Sequence, residues 1–133
     1  MRWSARTRFW VAEADMGRAT RQRRIDAQER WPDLYQFLAA HLHQDWPDDS
    51  RTPEAAVDFA ISEHGLEQRQ SIARQWWNWN GVEGSNADPR PAINDGLGVE
   101  VSFDTPREGR DFMNSVYDKL IVSIRQEVKD WKP

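Results

Sequence analysis

The sequence predicts a mainly α fold: a small helical domain of about four to five helices, with one short strand-like segment before a long last helix. Three observations carry this. From Phe112 to Trp131 the apolar residues keep a helical rhythm without interruption. Thr52-Pro53-Glu54 and Thr105-Pro106-Arg107-Glu108 each combine a hydroxyl cap, proline at the first helical position and a carboxylate in the first turn. Only Leu97, Val99, Val101 and Phe103 alternate with a period of two.

A length of 133 residues suits one domain, and 38% hydrophobic residues supply one core. Residues 1–30 read as a basic N-terminal extension, helical or loosely ordered, and residues 31–133 as the domain proper. In the extension Phe9, Trp10 and Val11 are adjacent rather than spaced for one face. Ala12, Met16, Ala19 and Ile25 form only a thin stripe. Arg18, Arg21, Arg23 and Arg24 form a charge run. It fits a solvated helix, an extension translated from an early start, or a contact for nucleic acid or an anionic membrane.

Trp31-Pro32-Asp33 marks a fresh start, with Asp33 as the expected cap of a helix from Leu34 to about Trp46. Leu34, Phe37, Leu38, His41, Leu42 and Asp45 recur at three and four, and Pro47 is expected to end that helix. A short acidic loop, 47–52, leads to a second helix from Pro53 towards Gly65, expected as its stop. A third runs from Leu66 to about Asn80, turning Ile72, Ala73, Trp76 and either Trp77 or Trp79 inward. Residues 81–96 are rich in turn formers and are expected to be the least structured part. The strand signal at 97–103 then needs a partner. The last helix is expected from Pro106 to about Trp131, about 39 Å at ~1.5 Å per residue.

The net charge of −4 conceals an asymmetry. Residues 1–30 carry eight Arg against four acids, +4, and residues 31–133 carry ten Lys or Arg against eighteen acids, −8. An acidic body repels phosphate and favours a basic partner. With no cysteine, disulfides, thiolate metal sites and thiol nucleophiles are excluded together. The start of the chain has no apolar stretch of the secretory kind, and no run approaches a bilayer span. A cytoplasmic protein without membrane contact is expected.

His41, His43 and Asp45 suggest a metal cluster at first sight. On a helix, however, His41 and His43 lie about 200° apart, and His41 with Asp45 makes only two ligands. A His–Asp hydrogen bond is the simpler reading. There is no phosphate loop, nucleophile elbow or HExxH motif, and no carboxylate pair stands out by its apolar setting. Neither catalytic residues nor a cofactor are expected. Trp76-Trp77-Asn78-Trp79 cannot all face the core, so one Trp either covers a loop or anchors a partner. Asp45, Asp48, Asp49, Glu54 and Asp58 crowd fourteen residues with only Arg51 between them. They read as solvated helix-end charges, or as a negative patch steering a basic partner.

Trp31-Pro32-Asp33-Leu34-Tyr35-Gln36-Phe37-Leu38, then His43-Gln44-Asp45-Trp46, then Thr52-Pro53-Glu54 and Phe59, resembles the opening of CdiI-type immunity proteins of bacterial contact-dependent growth inhibition systems. The resemblance covers about 31–131 and is strongest in its first third. His41 and Leu42 stand where aromatics are common in that family, and the 81–96 loop and residues 1–30 depart from it. The resemblance implies a mostly helical, non-catalytic protein. It implies binding to the C-terminal toxin domain, often a nuclease, of its own system's effector, and a one-to-one complex is expected. Asp45, Asp48, Asp49, Glu54, Asp58 and Trp77 are the expected partner-binding residues. The alternative is a nucleic-acid-binding regulator that uses the Arg-rich segment.

Overall fold

The computed structural model describes residues 4–43 and 45–133, with side chains from residue 17 onward except at 44, 48 and 49. Helix α1 spans Ser4–Arg30, α2 Pro32–His41, α3 Trp46–Asp49, α4 Pro53–Ser62, α5 Leu66–Trp79 and α6 Pro106–Arg125. Two π-helical turns, Asn80–Gly84 and Ala92–Gly96, lie between α5 and α6. Of the thin stripe expected at Ala12, Met16, Ala19 and Ile25, the first two side chains, like those of Phe9, Trp10 and Val11, lie outside the described residues, and Ile25 is exposed.

The protein is mainly helical, as expected, but six helices occur among the described residues where four or five were anticipated. The difference arises at residues 42–46. The helix containing Leu34 stops at His41 rather than running to Trp46, and a separate single turn begins at Trp46. Pro47 therefore sits in the first turn of α3, where its missing N–H costs nothing, instead of terminating α2. His43 organises the break: its Nδ1 accepts from the Asp45 N–H at 3.0 Å, and its carbonyl accepts from the Trp46 N–H at 2.9 Å.

Asp33 is not the cap of α2. Trp31 holds the cap position with Pro32 at the first helical position, and no side chain of the same segment bonds the free amides. Gln75 of α5 does so across the fold. Its Oε1 accepts from the Asp33 and Leu34 N–H groups at 2.8 and 3.0 Å. Its Nε2 donates to the Asp33 carboxylate at 3.1 Å, which also accepts from the Ser71 hydroxyl. Two of the unpaired amides that every helix start presents are satisfied by tertiary contact.

The other helix starts follow the sequence closely. Thr52 accepts from the Ala55 N–H at 3.0 Å and Thr105 from the Glu108 N–H at 3.2 Å. Helix α4 ends at Ser62, and Gly65 serves as the cap of α5 rather than the stop of α4, its N–H donating to Gln68 Oε1. Of the two Trp choices on α5, Trp79 is buried and Trp77 is 59% exposed.

The core is a continuous cluster from α2, α4, α5 and α6, closed by Ile93, Leu97 and Val99. Trp76 lies across its centre, stacked on Tyr117 at 4.4 Å, with its Nε1 donating to the Met113 carbonyl at 2.9 Å. The acceptor removes the cost of burying that N–H, whereas Trp79, equally buried, has no partner for its Nε1 among the described residues. Burial also pushes the Tyr117 hydroxyl above its ordinary pKa. Arg69 is the one buried charged residue among the described side chains, donating to the His64 carbonyl, the Ser123 hydroxyl and the Glu127 carboxylate.

Helix α6 closes at Arg125, not near Trp131, so it is about 30 Å long at ~1.5 Å per residue. The chain then turns back, with Asp130 at φ 63°. Arg125 Nε donates to the Trp131 carbonyl, and the Arg74 guanidinium lies over the Trp131 ring at 5.3 Å. Trp131 thus packs beside α5 instead of extending the helix.

Residues 81–96 are more ordered than expected. The second π-turn closes with the Leu97 N–H bonded to the carbonyl of Ala92, five residues back, at 3.0 Å. No strand occurs among the described residues. The 97–103 segment is extended and keeps the expected alternation, with Leu97 and Val99 buried and Glu100 and Ser102 exposed. Helix ends and side chains take the place of a neighbouring strand. The Glu100 N–H donates to the Leu42 carbonyl at 2.7 Å, and Asn94 Nδ2 donates to the carbonyls of Val99 and Val101, both at 2.8 Å. Gly98, at φ 70°, lets the segment pass Ala39, since a Cβ there would lie 3.3 Å from the alanine methyl.

Candidate partner interface

The acidic residues singled out in the sequence begin on one side of the molecule. Asp45 holds the cap position of α3 without a side-chain bond to it and is exposed, and Glu54 lies exposed in the first turn of α4. The backbone of Asp48 and Asp49 forms the rest of α3, while their side chains lie outside the described residues. Asp58 stands one turn beyond Glu54, and Lys119 Nζ donates to its carboxylate at 2.8 Å. Asp58 is thus partly neutralised by the protein itself. Asp45 and Glu54 have no side-chain partner among the described residues.

The structure adds carboxylates that spacing along the chain does not bring together. Trp46 Nε1 donates to the Glu100 carbonyl at 2.8 Å, which ties α3 to the extended segment. Glu108 and Asp111 line one groove with Glu54, and Glu100 and Asp104 lie on the segment that runs from α3 to it, so that these carboxylates form an acidic face. The cap at Thr105 announced Glu108 locally, but nothing in the sequence placed 100–111 beside 45–54.

Between the starts of α4 and α6 this face contains a groove of about 300 Å³, lined by Pro53, Glu54, Val101, Phe103, Glu108, Asp111 and Phe112. The Phe103 and Phe112 rings are 5.5 Å apart. Its walls are fixed from behind. Arg90 Nη1 donates to the carbonyls of Phe103 and Asp104 at 3.2 and 2.9 Å, and Glu108 Oε1 accepts from the Asp104 N–H at 2.7 Å. The Arg90 guanidinium is held in turn by Asp88, at 2.9 Å from both carboxylate oxygens. Those hydrogen bonds hold the Asp88 carboxyl below the usual carboxylate range. Gly109 allows α6 to approach this clamp, since a Cβ there would come within 3.2 Å of Arg90 and Ile93.

A family model described as CdiI immunity protein matches residues 30–120. The chain belongs to the CdiI immunity protein family. The family is one of toxin-neutralising immunity proteins and is generally non-enzymatic. The match opens at the last residue of α1 and runs through most of α6, so it takes in the acidic face and its groove. No curated protein and no solved structure matches the chain.

Trp77 lies apart from the acidic residues of this CdiI immunity protein. Its ring is 5.8 Å from Tyr117, whereas Asp58 is held by Lys119. Positions 117 and 119 of a helix point about 200° apart, so Trp77 and Asp58 occupy opposite flanks of α6. Among the described residues no group of three or more His, Asp or Glu is placed to hold an ion. His41 meets His64 at 5.9 Å and Phe59 at 6.0 Å between ring centroids. Each imidazole donates from Nδ1 to the carbonyl four residues earlier, His41 to Phe37 at 3.0 Å and His64 to Ala60 at 2.7 Å. Asp45 does not reach His41, and the expected His–Asp bond is replaced by the backbone bond to His43.

The end of the basic helix is built into the fold. Ala27 is buried, and Arg24 Nε donates to the Asp95 carbonyl at 2.8 Å with Nη2 at 3.4 Å from that of Asn94. Arg23 pairs with the Asp95 carboxylate at 3.4 Å, and the Arg30 guanidinium lies over the Trp31 ring at 4.8 Å. Among the described residues no helix is long and apolar enough to cross a membrane.

Proposed function

We propose that this CdiI immunity protein binds, one-to-one and in the cytoplasm, the C-terminal toxin domain of its own growth-inhibition system. The toxin is a nuclease with a basic substrate cleft, and the immunity protein covers that cleft without catalysis of its own and without a cofactor. The observation that carries this reading is the acidic face of α3, α4 and residues 100–111. Asp45, Glu54, Glu100, Asp104, Glu108 and Asp111 are exposed, and the carboxylates of Asp45 and Glu54 have no partner among the described residues. Opposed charge on two rigid surfaces speeds encounter and selects the partner. Asp45, Asp48, Asp49 and Glu54 are assigned to the contact, with Asp58 at its edge. Trp77, on the far flank of α6, serves as a separate aromatic anchor if the toxin wraps that helix.

Co-purification with the toxin domain, followed by titration calorimetry, tests this. A complex with Kd of about 1 nM or tighter is expected. Asp48→Lys with Asp49→Lys is expected to slow association about tenfold at low salt and less at high salt. A folded, toxic domain that shows no binding overturns the reading.

A further inference from the structure

The groove between α4 and α6 has a composition that narrows its occupant. Four of its lining residues, Pro53, Val101, Phe103 and Phe112, are apolar, and the other three, Glu54, Glu108 and Asp111, are carboxylates. No lysine or arginine lines it among the described residues. Its volume of about 300 Å³ suits one long side chain rather than a folded element.

We propose that this groove seats a single arginine side chain of the toxin domain, its aliphatic stem against Phe103 and Val101 and its guanidinium between Glu54, Glu108 and Asp111. This rests on the toxin-binding reading and deepens it by naming the group that is captured. An anionic ligand would be repelled by all three carboxylates. A wholly apolar one would strip them of water with nothing in return. A long cationic side chain satisfies both parts of the surface, because its stem is apolar and its head is charged. Arginine fits better than lysine: its planar, weakly hydrated guanidinium stacks on an aromatic ring and presents several donors to carboxylates in different directions.

The carboxylates are available for such a contact. Glu54 has no side-chain partner among the described residues, and Glu108 uses Oε1 for the Asp104 N–H and leaves Oε2 unengaged there. Among the described residues the Asp111 carboxylate pairs with Arg107 alone, at 3.7 Å and with both side chains mostly exposed, a pairing weak enough to exchange. The clamp of Arg90 and Asp88 fixes the wall before the partner arrives, which lowers the ordering cost of binding. An arginine held here is withdrawn from phosphate, so seating it would disarm a nucleic-acid-directed toxin at the residue it uses to hold substrate.

The test compares three full-length forms of the chain against the catalytically inactivated toxin domain, using association and dissociation kinetics. The wild type is set beside Glu54→Gln/Glu108→Gln/Asp111→Asn, in which the side-chain amide introduced at position 108 still offers an oxygen to the Asp104 N–H. A control, Glu29→Gln/Glu63→Gln/Asp118→Asn, removes the same charge at exposed positions elsewhere. The groove variant is expected to bind about tenfold or more weaker, chiefly through faster dissociation, and the control within about threefold of wild type. An arginine-to-alanine scan of the toxin should find one residue whose loss weakens the wild type but not the groove variant. Equal binding by wild type and groove variant, or no such arginine, overturns the proposal while toxin binding itself stands. Failure of the wild type to bind overturns the underlying reading as well. Asp111→Arg, at an exposed helical position, guards against a folding defect in the triple variant. It too should weaken binding about tenfold, and unchanged binding by this form also overturns the seat.

Discussion

The two charged regions of this CdiI immunity protein use their charge in opposite ways. At the end of α1, Arg23 and Arg24 are turned onto the second π-turn and Arg30 onto Trp31. On the acidic face, the carboxylates of Asp45 and Glu54 have no hydrogen-bond or ion-pair partner among the described residues, and Arg90 supports the groove from behind rather than filling it. Charge in the first region therefore completes the fold. Charge in the second is left for something else. A run of like charges in a sequence does not distinguish the two cases, because partnership depends on which carbonyls and carboxylates the fold brings near.

This contrast yields a double separation. Changes on the α1 side should alter stability and leave toxin binding alone, and changes on the acidic face should do the reverse. The largest effect is expected for Trp31→Ala. Trp31 is 3% exposed and its Nε1 donates to Asn78 at 2.8 Å. Removing the ring leaves a cavity and ends that bond, and urea unfolding should show a loss of about 4 kcal/mol. A loss below about 1 kcal/mol would mean that the α1–α2 junction lies outside the cooperative core.

Arg24→Ala comes next. It removes two hydrogen bonds to the carbonyls of the π-turn, and a stability loss of about 1 kcal/mol is expected by the same measurement. Toxin affinity and DNA retention at low salt should stay at their wild-type values. Salt-dependent DNA binding that Arg24→Ala abolishes would instead revive the nucleic-acid reading of the basic run.

What was legible in the sequence was local. Thr52 and Thr105 bond amides three residues away, so the cap, the proline and the carboxylate are all visible in one short window. The apolar rhythm of α6 likewise fixes its buried face from Phe112 to Ile124. What was not legible depends on contacts made across the chain. Asp33 has the chemistry of a cap, but Gln75, forty-two residues on, takes that role and leaves the carboxylate to bond Ser71 and Gln75. The 97–103 alternation reports which side chains face inward, and it does so correctly. It cannot report that Asn94 and Leu42, rather than a second strand, satisfy the backbone. The site shows the same division. Glu54 was visible as part of an acidic cluster, whereas the groove it rims exists only because Trp46, Asn94 and Arg90 hold residues 100–104 against α4 and α6.

The smallest expected effect sharpens the comparison most, because Asp58 combines both behaviours. It belongs to the acidic cluster in sequence, yet its carboxylate is bonded by Lys119 of α6. If engagement within the fold is what separates structural from partner-facing charge, Asp58 should behave like Arg24 and not like Glu54. An exposed ion pair of this kind contributes little, so a double-mutant cycle of Asp58→Asn and Lys119→Met should give a coupling of about 0.5 kcal/mol. Asp58→Asn should weaken toxin binding by about twofold or less, through the field alone, whereas Glu54→Gln should do so several-fold. Were Asp58→Asn to match Glu54→Gln in binding, the partner would have to break the Lys119 pair on docking. The interface would then extend from the groove across α4 to α6, and the engaged state of a carboxylate in the free protein would no longer predict its role.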